Sequence, residues 1–366
     1  MVIASRDSFF EQRMLAGNRK ADLTANPTKP FQYPGHQAGI ALLTVLLIVF
    51  LASITATHLA FLQQLTIRRS TLFEHQQQAF LYTLGAEQWA TVILKRDNRN
   101  KDDLNEPWAK LPPALPIQGG YLTGQLQDLQ GRFNINNLLK ISANDQSRKG
   151  HYERQRTQNM VIPNTGEAID ETQFETLRRL LSILELEPEL AQAIADWLDP
   201  DQEPRFPGGA EDSDYVTQTP PYLAANRSMV NLSELRLIKG INKEVYAKLI
   251  PYLSTLPPGT ALNVNTAPPP VLAALSDEIG LARAENLVDT RDKGTQHNYD
   301  RVNDFLETLN IEEETFATIP LAVSSHYFLL QAQAQVGESR ALLRSIIHRS
   351  DSGNLQILLR HFGNDE

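Results

Sequence analysis

The chain has 366 residues with 42% hydrophobic and 21% charged side chains, a composition that suits one large globular domain or two smaller ones and excludes a disordered chain. Its net charge is −9, and residues 1–39 contribute +2 (Arg6, Arg13, Arg19, Lys20 and Lys29 against Asp7, Glu11 and Asp22), which leaves −11 for the rest. An acidic body without a local basic face repels a phosphate backbone and argues against nucleic-acid binding. The absence of cysteine excludes thiolate metal sites, a cysteine nucleophile and disulfides.

The first predicted element is a helix. Ile40 to Leu62 carries no charge and is long enough to cross a bilayer, which takes about 20 apolar residues. It is too long for the core of an ordinary secretory signal, and no small-x-small cleavage site follows it. Arg19, Lys20 and Lys29 precede it and Arg68 and Arg69 follow, a balance that tilts the N-terminus toward the cytoplasm. Apolar residues continue at helical spacing (Leu65, Leu72, Phe73, Phe80, Leu81, Leu84, Trp89, Val92 and Ile93), and no proline interrupts residues 40–106. The pattern predicts one continuous helix of about 55–60 residues, its first half in lipid and its second half packed on a soluble domain.

Gly39 followed at once by this helix resembles the leader and N-terminal helix of type IV prepilin-like proteins. The resemblance implies that a prepilin peptidase cuts between Gly39 and Ile40 and that the new amine of Ile40 is methylated, so the segment serves as both signal and anchor. Most members carry a glutamate five residues after the cut, where it pairs with the amine of a neighbouring subunit; here Thr44 stands at that position. A carboxylate buried among helices is costly unless paired, so a subunit without one need not be inserted beneath another and can start or cap a filament. The missing glutamate, together with a large body, resembles the minor pseudopilin K family of type II secretion systems. That resemblance implies a pseudopilus-tip subunit in the inner membrane, with its N-terminus cytoplasmic and its body periplasmic. The implied partners are the other minor pseudopilins, the major pseudopilin and prepilin peptidase, with no nucleic acid.

Farther along, "GQLQDLQGRFNINNLL" alternates and then stops at asparagine-rich turn chemistry, as a strand and a loop would. Near the end, "HYFLLQAQAQVG", "RALLRSIIHRS" and "NLQILLRHFG" predict three more strands separated by Gly or Ser-Gly breaks. Between these regions helical patterns dominate: "ETQFETLRRLLSILEL", "PELAQAIADWLD", "LSELRLIKG", "NKEVYAKLIPYL", "PPPVLAALSDEIG", "LARAENLVDTRD", "VNDFLETL" and "EEETFATI". The stretches "GRFNINNLL" and "LNVNTAPPPVLAAL" echo each other, with Asn-x-Asn before a helical run. The pair of helices around Lys239-Gly240-Ile241 resembles a DNA-binding helical hairpin. Its three lysines (Lys239, Lys243, Lys248) are offset by Glu234 and Glu244, so it is read as architecture.

The expected fold is α+β: a pilin-like long N-terminal helix on a small antiparallel sheet, with a large all-α domain inserted in the sheet. The expected division is a leader at 1–39, the membrane half of the helix at 40–62, the periplasmic half and first strands at 63–136, the inserted domain at 137–321 and the last strands at 322–366.

The stretch "DWLDPDQEPRFPGGAEDSDY" holds seven acids (Asp196, Asp199, Asp201, Glu203, Glu211, Asp212 and Asp214) against Arg205. Carboxylates so crowded repel one another unless they stay solvated or bind a cation, and hard oxygen donors without His or Cys favour calcium over zinc. The start resembles an EF-hand loop, but Pro204 and Ala210 stand where a glycine and a bidentate glutamate are required, so it is not one. Residue type leaves both readings open; the resemblance to the K family implies structural calcium. The candidate ligands are Asp199, Asp201, Glu211, Asp212 and Asp214. No zinc-ligand spacing among the eight histidines, phosphate-binding glycine loop or Gly-x-Ser-x-Gly is present, so no enzyme is expected. The competing expectation is a single-pass, calcium-binding periplasmic interaction protein outside any filament.

Overall fold

The computed structural model describes residues 38–140, 169–293, 298–311, 316 and 318–363, with side-chain surroundings for all but 38, 39 and 293. Most of the expected leader (1–37) and most of "EEETFATI" (312–315 and 317) lie outside the described residues. The chain divides into two units, Met1–Ile67 and Arg68–Glu366.

Helix α1 (Ala38–Arg96) has 59 residues. In the first unit its apolar side chains are exposed, from Ile40 and Leu42 through Leu62 to Ile67. It is the one helix among the described residues that is long and apolar enough to cross a membrane, with a peak mean hydropathy of 2.6. Its hydroxyls are satisfied internally: Thr44 Oγ1 donates to Ala41 O at 2.9 Å, and Ser53 and Thr57 donate to carbonyls four residues back.

In the second unit, α1 from Arg68 onward packs on a five-stranded antiparallel sheet of order β1-β2-β7-β8-β9. The strands are β1 (Leu115–Ile117), β2 (Gly120–Asp128), β7 (Tyr327–Val336), β8 (Ser339–Arg349) and β9 (Leu355–Phe362). The alternation that predicted the last three is realised in β7, where Phe328, Leu330, Ala332, Ala334 and Val336 form the buried face. The helix face that meets them differs from the large apolar series read in the sequence. Ala79, Thr83, Ala86, Glu87, Ala90 and Leu94 are buried, while Phe73, Leu81, Trp89 and Val92 are exposed. Small side chains let the helix approach the sheet closely, and Glu87, fully buried, is held by Ser345 Oγ and by the Arg360 guanidinium at 2.7–2.9 Å.

The chain leaves the sheet after β2 and returns at β7. The excursion builds the largest core, with residues from Phe133 to Ile319. It contains two versions of one design. In the first, β3 (Phe133–Asn134) pairs in parallel with β4 (Leu253–Ser254); in the second, β5 (Leu262–Asn263) pairs in parallel with β6 (Leu321–Ala322). Asn136 accepts from Met229 N and donates to the Met229 and Leu256 carbonyls; Asn265 accepts from Tyr299 N and donates to the Tyr299 and Val323 carbonyls. Two residues beyond Met229 and Tyr299, a carboxylate three positions on turns back to the N–H of Asn231 (from Glu234) and of Arg301 (from Asp304). The Asn-x-Asn echo in the sequence is thus a repeated strand-to-helix anchor.

Helices fill each version: α2 (Glu171–Ile183), α3 (Leu190–Leu198), α4 (Asp212–Tyr215) and α5 (Lys243–Leu249) in the first, and α6 (Pro269–Ala274), α7 (Leu281–Lys293) and α8 (Val302–Leu309) in the second. Asp170 caps α2 by accepting from Thr172 N and Gln173 N. The predicted helix at "LSELRLIKG" is a 3-10 turn, Leu232–Leu237.

A buried polar cluster ties this excursion to the sheet. Arg349 on β8 reaches Asp102 at 2.5 Å and Asp97 at 3.1 Å, and its guanidinium lies over the Phe328 ring. Beside it, Asp128 at the end of β2 accepts from Ser325 Oγ, Thr266 Oγ1 and Asn263 Nδ2. Burial pushes the Asp102 carboxyl upward, against the pull of Arg349.

Candidate metal centre

The acidic stretch lies between α3 and α4 in the first version of the repeated design, and Asp199 caps the C-terminal end of α3. The structure brings one oxygen each of Asp199, Asp201 and Glu211 within 4.8 Å of one another. Asp199 and Glu211 are buried, 3% and 2% exposed, while Asp201 is exposed. Asp199 Oδ1 and both carboxylate oxygens of Glu211 have no hydrogen-bond partner. A buried carboxylate without donors is costly, so these orphaned oxygens and the short mutual distances fit a hard divalent cation.

The electrostatics agree. Burial, and then the charges of Asp201 and Asp196, push the Asp199 carboxyl up to about 7. Burial, and then Asp196, Asp199, Asp201 and Asp212, push Glu211 to about 8. The Arg205 guanidinium stands 3.8 Å from Asp199 Oδ2 and 3.3 Å from Glu171 Oε1, so its charge is shared.

The remaining acids have other work. Asp196, fully buried, accepts from Arg205 N at 3.2 Å and from Ala210 N at 2.8 Å. Asp212 Oδ1 accepts from Ala224 N at 2.8 Å. Asp214 Oδ1 accepts from Lys239 Nζ at 2.7 Å, and its Oδ2 faces Glu211 N at 3.4 Å. Lys239, which belongs to the helical hairpin noted in the sequence, therefore carries an ion pair within the fold. Of the five candidates, the structure assembles Asp199, Asp201 and Glu211, and it places the carboxylates of Asp212 and Asp214 in loop-bracing bonds. The role of Asp196 had a local signal: a lone carboxylate inside the apolar helix "LAQAIADWL" must find donors when it is buried.

Two family models match this region, both described as type II secretion system protein K, over residues 131–258 and 262–324. The two matches coincide closely with the two versions of the repeated design. The chain is 36% identical over 342 residues to type II secretion system protein K of Pseudomonas aeruginosa, covering 89% of this chain and 93% of that protein. It is 32% identical to the Aeromonas hydrophila protein of the same name, covering 90% and 98%. Among solved structures it resembles a chain of the GspK–GspI–GspJ complex from the type 2 secretion system of enterotoxigenic Escherichia coli, with a TM-score of 0.64 and 25% identity. That match covers 81% of this chain and 100% of the other. The long helix, antiparallel sheet and helical insertion are the pilin-like α+β arrangement of that match, and the chain belongs to the type II secretion system protein K family.

Proposed function

We propose that this minor pseudopilin initiates and caps the tip of the pseudopilus together with other minor pseudopilins, in support of protein export across the outer membrane. Prepilin peptidase cuts between Gly39 and Ile40, the new amine of Ile40 is methylated, and the retained helix anchors the chain in the inner membrane with its body in the periplasm. The observation that carries this reading is Thr44. Where a filament-interior subunit needs a paired carboxylate, this chain has a hydroxyl already satisfied by Ala41 O in its own helix, so it requires no subunit above it. The partner named beside the solved relative, a GspI–GspJ pair, supports minor pseudopilins as its neighbours.

Calcium is the cation proposed for the acidic site, with Asp199, Asp201 and Glu211 as side-chain ligands. Bound there, it neutralises carboxylates that the loop otherwise crowds together and stabilises the folded state by mass action. The role is structural.

The test is co-expression with a prepilin peptidase, N-terminal sequencing of the product and co-purification with the other minor pseudopilins. A mature chain that starts at Ile40 and co-purifies with them is expected; Gly39→Leu should block the cut. An uncut chain refutes the pseudopilin reading and leaves a single-pass periplasmic interaction protein. A cut chain that joins no other pseudopilin refutes the tip role.

A further inference from the structure

We infer that Asp196 is the positioning residue of the acidic site: it holds no cation itself but closes the loop that brings Glu211 to Asp199 and Asp201. This rests on the cation reading above and concerns a residue outside the ligand set.

The ligands come from two places 10–12 positions apart, and something must fold the intervening segment back. Asp196 projects from the last turn of α3, fully buried, and accepts backbone N–H groups from the middle and the far end of that segment. Arg205 N donates to its two oxygens at 3.2 and 3.3 Å, and Ala210 N donates to Oδ2 at 2.8 Å. Between the two donors, Gly209 N closes the turn onto Arg205 O at 2.8 Å. Ala210 directly precedes Glu211, so the bond from Ala210 N fixes where that buried carboxylate begins. Asp199 stands three residues after Asp196, at the end of the same helix. One side chain therefore sets the separation between the two buried ligands. Charge-assisted bonds to backbone N–H groups are strong and directional, as this task requires.

The space around Asp196 is specific. A Cβ on Gly209 would overlap Asp196 Oδ2 and the Arg205 backbone, so glycine is needed for the segment to approach the carboxylate. Asp212 braces the far side through Ala224 N, and Asp214 through Lys239 Nζ and Glu211 N, and neither spans the segment between the ligands. Groups that orient metal ligands without touching the metal commonly change affinity by about 10–100-fold when removed.

The experiment uses the full chain in detergent micelles and compares wild type with Asp196→Asn, Gly209→Ala and Asp277→Asn. Calcium affinity is read by titration calorimetry, and hydrogen exchange at the Arg205 and Ala210 amides is read in chelator. Asp196→Asn exchanges a carboxylate oxygen for an NH2 group facing an N–H donor; it should weaken calcium binding about 10–100-fold. The Arg205 and Ala210 amides of the cation-free protein should exchange faster, while amides in β7 and β8 keep their protection. A residue that acted only as a ligand would leave that cation-free exchange unchanged, and this result would overturn the proposal. Gly209→Ala alters no carboxylate yet should lower affinity in the same way, which keeps the test decisive should Asp196→Asn fold poorly. Asp277→Asn, at an exposed acid that pairs with Arg179 and touches neither the segment nor a ligand, should stay within about threefold of wild type. Equal calcium affinity in wild type, Asp196→Asn and Gly209→Ala overturns the positioning role alone. A wild-type chain that takes up no calcium refutes the cation reading itself, and the positioning role with it.

Discussion

Replacing Glu211 with glutamine should stabilise the protein in chelator and destabilise it, relative to wild type, in calcium. The Glu211 carboxyl is raised from 4.5 to about 8, chiefly by burial, and its oxygens have no donors. Because its folded pKa lies above the unfolded one, the cation-free folded state holds the proton longer. Stability is therefore intact below about pH 4.5 and falls as pH rises toward 8, by about 1.4 kcal/mol per pH unit for this group. Solvent screening at the loop and the field shared with Asp199 and Asp201 hold the loss well below the full shift, on the order of 1–2 kcal/mol at pH 7.4. Glutamine does not titrate, so Glu211→Gln should recover up to that amount in chelator and flatten the stability profile between pH 5 and 8. For a body of this size the gain corresponds to roughly 3–6 °C in melting temperature. In calcium the order inverts, since wild type gains about 2.7 kcal/mol at a concentration 100 times the dissociation constant and the variant loses a ligand. Thermal melts of the purified chain at pH 5, 6.5 and 8, with calcium or chelator, give both comparisons. A variant less stable than wild type in chelator at pH 8, or an equal gain from calcium in both proteins, would refute the reasoning.

Three further outcomes follow from the body of the protein. Arg349→Met leaves Asp102 and Asp97 buried without their cation and should cost about 3–5 kcal/mol in urea unfolding, with a smaller loss at acid pH where Asp102 is protonated. Asn265→Ala should destabilise by about 1–3 kcal/mol because it removes the partner of both Tyr299 N and Tyr299 O, while Val323 O keeps its bond from Asp102 N; Asn136→Ala should cost at least as much through the buried groups of Met229 and Leu256. On α1, Leu81→Ser should shift the stability of the isolated chain by less than about 0.5 kcal/mol, whereas Ala86→Leu or Ala90→Leu should cost about 1–3 kcal/mol by wedging the helix off the sheet.

The elements legible in the sequence are those whose signal is local. Twenty-three uncharged residues from Ile40, an unbroken run free of proline and strict alternation in β7 each specify structure through the backbone periods of helix and strand. The Asn-x-Asn echo was visible too, because a buried asparagine anchor must be spelled at fixed spacing beside each strand. The same locality explains the misread face of α1. Large apolar residues dominate a hydrophobicity pattern, yet closeness to a sheet is obtained with alanine, so Ala79, Ala86 and Ala90 were the contact and Leu81 and Trp89 were not.

The acidic loop divides in the same way. Its composition, carboxylates without histidine or cysteine, by itself determined that any ion bound there is a hard one. Which carboxylates face one another was decided only by the tertiary structure: the end of α3 and the start of α4 meet across a segment folded back onto Asp196, leaving Asp199 Oδ1 and both Glu211 oxygens buried without donors. Asp102 and Arg349, 247 residues apart, carry no mark of each other in the sequence. Hydrophobic pattern and capping residues act over a few positions and can be read along the chain. Desolvation and charge pairing depend on which distant segments close around a group, and that exists only once the fold is made.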